Sequence, residues 1–188
     1  MKIILPNTLV DLNFNYGHLF FFAGPVRGGG DWQTKACIEM MKYLPNFHGV
    51  VPCRYQEGQS RLLNFREPGK ENYFDRQLTW ERHYLDIAGP LGCIIFWLPC
   101  EDKTFPRTPE DGPYAMDTRG ELGEWRGRLM HDSNLRVVIG AEPDFPGISQ
   151  IQRNFNFATK SEFPIYKTLE ETIEAAVKKL SENKHVRQ

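Results

Sequence analysis

Three stretches of the chain are apolar with almost no interruption: His18 to Ala23, Leu91 to Pro99, and Leu135 to Gly140. A strand with one wet face alternates between apolar and polar residues. These runs do not, so both of their faces must be covered, as in a parallel sheet flanked by helices. The middle run, Leu91-Gly92-Cys93-Ile94-Ile95-Phe96-Trp97-Leu98-Pro99, is closed by turn formers and reads as the central strand. Gly49 to Cys53 reads as a shorter strand. Lys2 to Asp11, interrupted by Pro6-Asn7, reads as an edge strand or extended arm that leaves through a turn at Asn13 to Gly17. Ile151 to Lys160 alternates weakly and reads as a last strand or an arm.

Helical spacing fills the intervals. Asp31 stands where an N-cap belongs, and Trp32 to Leu44 follows with Ala36, Met40, Met41 and Leu44 on or near one face, until Pro45-Asn46 stops it. Asp75 to Ala88 stacks Leu78, Glu81, Leu85 and Ala88 roughly in one row, and Gly89-Pro90 is expected to end that helix. Thr118 and Glu121 have capping-box spacing ahead of a helix that runs through Leu122, Trp125 and Leu129 to about His131. Thr168 to Leu180 is the clearest helix, with a threonine cap, an acidic start and a basic end. Arg54 to Tyr73 and Cys100 to Met116 lack periodicity, which fits either a lid over a site or solvent-exposed padding. Ligands of open α/β sheets sit beyond the carboxyl ends of the strands, so the loop after Pro99 and the helix behind it should wall the site.

Composition narrows the classes. The 188 residues suit one domain, with 1–17 as an N-terminal strand or arm and 181–188 as a tail. With 23 basic and 24 acidic residues the net charge is -1, which argues against a nucleic-acid partner. Met1 to Pro6 is too short and too soon interrupted for a signal peptide, and no apolar run reaches the roughly 20 residues of a membrane helix. The expectation is a cytoplasmic protein with no membrane partner. Its 4 cysteines form no CxxC pair and read as reduced, mostly buried thiols. The histidines are scattered and no HExxH occurs, so no metal is expected. GxGxxG, GxxxxGK[ST] and GxSxG are likewise missing, which disfavours dinucleotide, ATP and serine-hydrolase chemistry; no cofactor is implied.

The candidate chemistry lies in carboxylates and glycines. Gly24-Pro25-Val26-Arg27-Gly28-Gly29-Gly30 directly follows a strand, where backbone amides can approach a ligand. Glu81, on an otherwise apolar row, either tips towards solvent or is held inward for a purpose. Glu121 is either a capping residue or a catalytic carboxylate at the amino end of a helix, kept ionised by the dipole and able to attack an anomeric carbon. Glu124 reads as a solvated partner of Arg126 or Arg128. Trp32 and Trp80, each beside an acid, either stack on a flat base or belong to the core.

Phe22-Ala23-Gly24-Pro25, Asp31-Trp32, Gln77-Leu78-Thr79-Trp80-Glu81, Ile95-Phe96-Trp97-Leu98-Pro99 and Gly120-Glu121-Leu122-Gly123 occur in that order between His18 and Gly140. Together they resemble the nucleoside 2-deoxyribosyltransferase family. The resemblance implies a doubly wound, parallel, five-stranded flavodoxin-like sheet, here with an additional N-terminal strand or arm. It implies cleavage of the N-glycosidic bond of a 2-deoxynucleoside by double displacement, with Glu121 as nucleophile and Glu81 assisting the nucleophile or the base. Gly24 and Pro25 would line the site near the sugar, with Asp31 as a contact. The partners implied are a nucleoside or nucleotide and a free nucleobase, in a homo-oligomer to which Asn154-Phe155-Asn156-Phe157 could lend an aromatic arm. Two positions depart from the family pattern: Ala88-Gly89 stands where Ala-Asp is usual, and Asp117 lies closer to Glu121 than the aspartate that holds the sugar hydroxyl. Related hydrolases of deoxynucleoside monophosphates let water replace the acceptor base, and here the glycine loop, Arg27 or Arg119 could hold the phosphate. Hydrolysis of this kind is the enzyme alternative; a catalytically silent nucleotide-binding or sensing protein is the other.

Overall fold

The computed structural model describes residues 1–11, 18–52, 73–104 and 107–182. Six strands, β1 (Lys2–Ile4), β2 (Leu19–Ala23), β3 (His48–Val50), β4 (Cys93–Leu98), β5 (Val137–Ala141) and β6 (Ile165–Tyr166), form one sheet in the order β1-β3-β2-β4-β5-β6. Every neighbouring pair is parallel. Leaving out β1, which adds an edge beside β3, the order is that of a flavodoxin-like, doubly wound sheet.

Two layers of helix cover the sheet, as the continuous apolar strands require. One face packs α2 (Tyr73–Leu91), α3 (Met116–His131) and α4 (Ile148–Thr159) against Phe21, Ile94, Phe96, Val137 and Ile139. The other packs α1 (Trp32–Tyr43) and α5 (Leu169–Glu182) against Phe20, Phe22, Cys93, Ile95 and Trp97. All residues of β2, β4 and β5 are buried. At the amino end of α5, Thr168 accepts from the Glu171 amide at 3.1 Å and Glu171 accepts from the Thr168 amide at 3.3 Å, a reciprocal capping box.

Three sequence expectations fail, each for a local reason, and one strand goes unforeseen. Ile151 to Lys160 is helix, not strand or arm: Phe155 enters the core, Phe157 is 78% exposed, and Gln152 bonds Asn156 one turn on. Gly89-Pro90 does not end α2, which runs on to Leu91. Gly89 is kept free of a side chain by the Trp125 ring, and Gly92 N–H still reaches the Ala88 carbonyl at 2.9 Å. Thr118 is not the cap of α3, which starts two residues earlier behind Ala115 at φ 58°. β6 comes from a two-residue segment too short to show a period. The loop Cys100 to Met116 gives Met116 to α3 and contains a 3-10 turn at Pro109–Asp111. The loop Arg54 to Tyr73, the turn at Asn13 to Gly17, Cys53 and the tail from residue 183 lie outside the described residues, apart from Tyr73, which opens α2. Cys37, Cys93 and Cys100 are free thiols. Among the described residues no helix is long and apolar enough to cross a membrane.

The β2–β4 pair is the hinge of the topology. β2 feeds α1 on one face and β4 leads to α3 on the other, so the chain diverges there and leaves a crevice at the carboxyl rim. Gly24 makes the approach possible. A methyl group on it would sit 2.3 Å from the Trp97 carbonyl oxygen and 2.7 Å from the Trp32 ring. Gly24→Ala is therefore expected to lower stability by about 3 kcal/mol or more in urea unfolding. Gly127→Ala, in α3 with open space around the added methyl, is expected to raise stability by about 0.5–1 kcal/mol in the same measurement.

Candidate active site

The crevice holds a cavity of about 400 Å³. Gly24, Pro25, Val26 and Arg27, directly after β2, form one wall. Gln77, Leu78, Glu81, Arg82 and Leu85 of α2 form a second. The connection from β4 to α3 contributes Arg107, Asp111 and Pro113, and α3 contributes Asp117, Thr118, Gly120, Glu121 and Glu124. Thus Glu81 and Glu121, from separate helices, share one cleft at the carboxyl rim.

The glycine loop is tied down from both sides. Trp32 Nε1 donates to the Pro25 carbonyl at 2.8 Å, and the Asp102 amide donates to the Gly28 carbonyl at 2.7 Å. Arg27 pairs with Asp111 at 2.5 Å. Arg107 pairs with Glu101 at 2.7 Å, lies over the Tyr114 ring at 5.4 Å and donates to the Gly112 carbonyl. Tyr114 in turn donates to the Pro99 carbonyl at 2.8 Å. The loop after β4 is consequently a strap bound to the glycine loop. The Thr108 amide, with Arg27 beside it, holds the Asp111 carboxyl below the usual carboxylate range.

Carboxylates occupy the α2–α3 side. Gln77 Nε2 donates to Glu81 Oε1 at 2.8 Å. Glu121 is half-buried, and its pKa is pushed up to about 8, first by burial and then by the charges of Glu81, Asp117 and Glu124. The sequence reading expected the helix dipole to keep Glu121 ionised. Glu121 stands in the second turn of α3, beyond the free amides of the helix start, so desolvation and three like charges win. Burial and the neighbouring carboxylates thus favour the protonated form of Glu121 near neutral pH. The cap reading of Glu121 also falls, because the helix starts at Met116 and no side chain caps it. Glu124 pairs with Arg128 at 2.6 Å, one of the two partners expected from sequence.

Of the other residues singled out, Gly24, Pro25, Arg27 and Asp117 line the cavity, whereas Asp31, Trp32, Trp80 and Arg119 do not. Trp32 and Trp80 are core residues, each 3% exposed. Trp80 Nε1 donates to the Thr8 carbonyl at 2.8 Å, and Tyr84 beside it bonds the same carbonyl at 3.2 Å, so this part of α2 clasps the N-terminal arm. Asp31 accepts from the Thr34 hydroxyl at 2.5 Å and stays outside the cavity. Arg119 points the other way: it donates to the Pro146 carbonyl at 2.6 Å, stacks 4.9 Å from the Phe145 ring and lines a second cavity beside α4. Sequence reasoning gave no role to Gln77, Arg82, Arg107 or Thr118 in the site. Gln77 had a legible signal, standing four residues before Glu81 on the same helical face. Arg107 had none, since its place depends on how a proline-rich loop folds back. No family model, curated protein or solved structure matches the chain, so the cleft is read from its own chemistry.

Glu121 takes up a proton on folding between its ordinary pKa of 4.5 and about 8. The stability linked to that proton is complete below the unfolded pKa and is lost as pH rises through the folded one. At about pH 9 Glu121→Gln is expected to be more stable than the wild type by on the order of 2 kcal/mol, after allowing for solvent screening. The gap should close near pH 4 if urea unfolding is repeated there; a constant gap across this range would reject the raised pKa.

Proposed function

We propose that this chain cleaves the N-glycosidic bond of a 2-deoxynucleoside and transfers the sugar to another nucleobase, with Glu121 as nucleophile and Glu81 as its proton partner. The observation that carries the reading is a pair of carboxylates, Glu81 and Glu121, lining one cleft, where burial first and the charge of Glu81 second raise the Glu121 pKa to about 8, so that a proton is available near neutral pH. When that proton rides on Glu81, Glu121 is an ionised nucleophile and Glu81 an acid. Glu121 then forms a bond to the anomeric carbon while the carbon–nitrogen bond breaks, its electron pair leaving with the base, which takes the proton from Glu81. An incoming base attacks the same carbon, the ester bond returns its electron pair to Glu121, and Glu81 recovers a proton from the attacking nitrogen. Two inversions restore the β-nucleoside. Asp117, at the mouth of the same cleft, is suited to a sugar hydroxyl.

Incubation with 2-deoxyinosine, with and without adenine, tests the reaction: a new nucleoside formed only with adenine supports transfer, and free sugar in both reactions supports hydrolysis. Glu121→Gln is expected to lower turnover by on the order of 10³ or more, since an amide cannot form the ester. Quenching the wild type with a 2-fluoro-2-deoxynucleoside should leave one sugar adduct on the peptide carrying Gly120 to Gly123; an adduct on Glu81 would reverse the roles. The pH profile has a defined sign. The pair must keep one proton, so kcat/KM should fall as pH rises through about 8, the pKa of Glu121. A rate that climbs through that range would refute the shared proton.

A second reading, hydrolysis of a 2-deoxynucleoside 5-monophosphate, is favoured by one observation: Arg27, Arg82 and Arg107 line the same cavity, opposite or beside the carboxylates. Under this reading Arg27→Met should raise KM for 2-deoxyadenosine monophosphate about tenfold or more and leave KM for 2-deoxyadenosine unchanged. Equal effects on both substrates would remove the phosphate from the scheme.

A further inference from the structure

Gln77 is 4% exposed and yet lines the cavity, one helical turn before Glu81 on α2. Its two amide ends have different fates. Nε2 donates to Glu81 Oε1 at 2.8 Å. Oε1 is buried and, among the described residues, has no hydrogen-bond partner. A buried acceptor left unmade costs more than an ordinary hydrogen bond contributes, so such an atom on a cavity wall is an invitation to a ligand donor. The neighbouring carboxylate fixes which donor. As long as Glu81 accepts from Nε2 the amide cannot turn round, because a flip would set Oε1 against a carboxylate oxygen. The free end is therefore an acceptor that faces N–H or O–H groups and rejects lone pairs.

The layout of the cleft narrows the ligand group. Arg27 and Arg107 lie by the glycine loop, while Glu121 and Asp117 lie on α3 where the sugar has to be attacked. Gln77 is on the α2 side, beside the acid that serves the leaving base. On the proposed glycosyl reading, we propose that Gln77 selects the nucleobase: its Oε1 accepts a hydrogen bond from an exocyclic amine of the base while its Nε2 holds Glu81 in place. One side chain thus joins base recognition to the position of the proton partner. A base lacking the amine would leave Oε1 unsatisfied, which is the stronger form of discrimination, because the penalty falls on the site rather than on the ligand.

Substrate pairs that differ only by the exocyclic amine provide the test: 2-deoxyadenosine against purine 2-deoxyriboside, and 2-deoxycytidine against 2-pyrimidinone 2-deoxyriboside. Affinity is read by calorimetry and kcat/KM by base release, with the full chain. In the wild type the amine should improve binding in at least one pair by on the order of tenfold. In Gln77→Met, which keeps the length and loses both polar ends, that ratio should fall to near one. In Gln77→Glu an acceptor remains, so the ratio should survive, while the extra carboxyl beside Glu81 moves the alkaline limb of the rate profile to higher pH. A structural role alone would lower stability without altering the ratio. An unchanged ratio in Gln77→Met, or a wild type that binds both members of each pair equally or not at all, overturns the assignment. If Gln77→Met does not fold, loss of the ratio in Gln77→Glu overturns it instead. A wild type that prefers the amine, loses that preference in Gln77→Met and releases no base supports Gln77 as the selector and defeats the glycosyl reading separately.

Discussion

The pairing of β2 with β4 buries two strands on both faces and sends the chain onward in opposite directions, to α1 on one side of the sheet and towards α3 on the other. Divergence at that place opens the crevice, and every group proposed to act there sits on an element joined to this pair: the glycine loop follows β2, α2 leads into β4, and α3 follows β4. The tolerance is small. Gly24 runs so close to the Trp97 backbone that a single methyl group cannot be inserted, and the Trp32 indole, pinned to the Pro25 carbonyl, fixes the loop from beneath. The tryptophans serve the site as its floor and buttress rather than as its lining.

Charge in the cleft is divided. Guanidinium groups gather by the glycine loop and the strap after β4, each of Arg27 and Arg107 already paired with an acid. Carboxylates gather between α2 and α3, where Glu121 is desolvated among three others. Four carboxylates so near one another would repel strongly if all were ionised, and holding a proton is the cheapest relief available to them. The raised pKa of Glu121 thus comes first from burial, and the charges of Glu81, Asp117 and Glu124 add to it.

The parallel core was legible from continuous apolar runs, because burial on both faces leaves that mark on the sequence: β2 and β4 lie inside the stretches so read, and β5 runs one residue past the end of its own. The Glu121 and Glu81 positions were legible through the quoted motifs, and their meeting in one cavity follows from the crossover of parallel strands. What escaped was whatever depends on side chains that only tertiary structure brings together. Asn154 to Phe157 alternates as a strand would, but on a helix residues two apart face nearly opposite ways, so Phe155 is buried and Phe157 exposed, and the Gln–Asn bonds of α4 have no counterpart in a hydropathy pattern. Gly89-Pro90 reads as a stop, yet Trp125 needs the bare glycine there, and past the proline the Gly92 amide still donates to the Ala88 carbonyl. The proton on Glu121 was out of reach for the same reason, as it depends on carboxylates from another helix.

Both outermost strands are short: β1 has 3 residues and β6 has 2. An open sheet exposes rows of unpaired amide and carbonyl groups along its rims, and those rows act as templates on which foreign or duplicate strands can grow. Rims this brief present only a few such groups, and Lys2 sets an exposed lysine on one of them. The interior can therefore be as continuously apolar and as rich in β-branched and aromatic residues as it is without inviting lateral extension of the sheet.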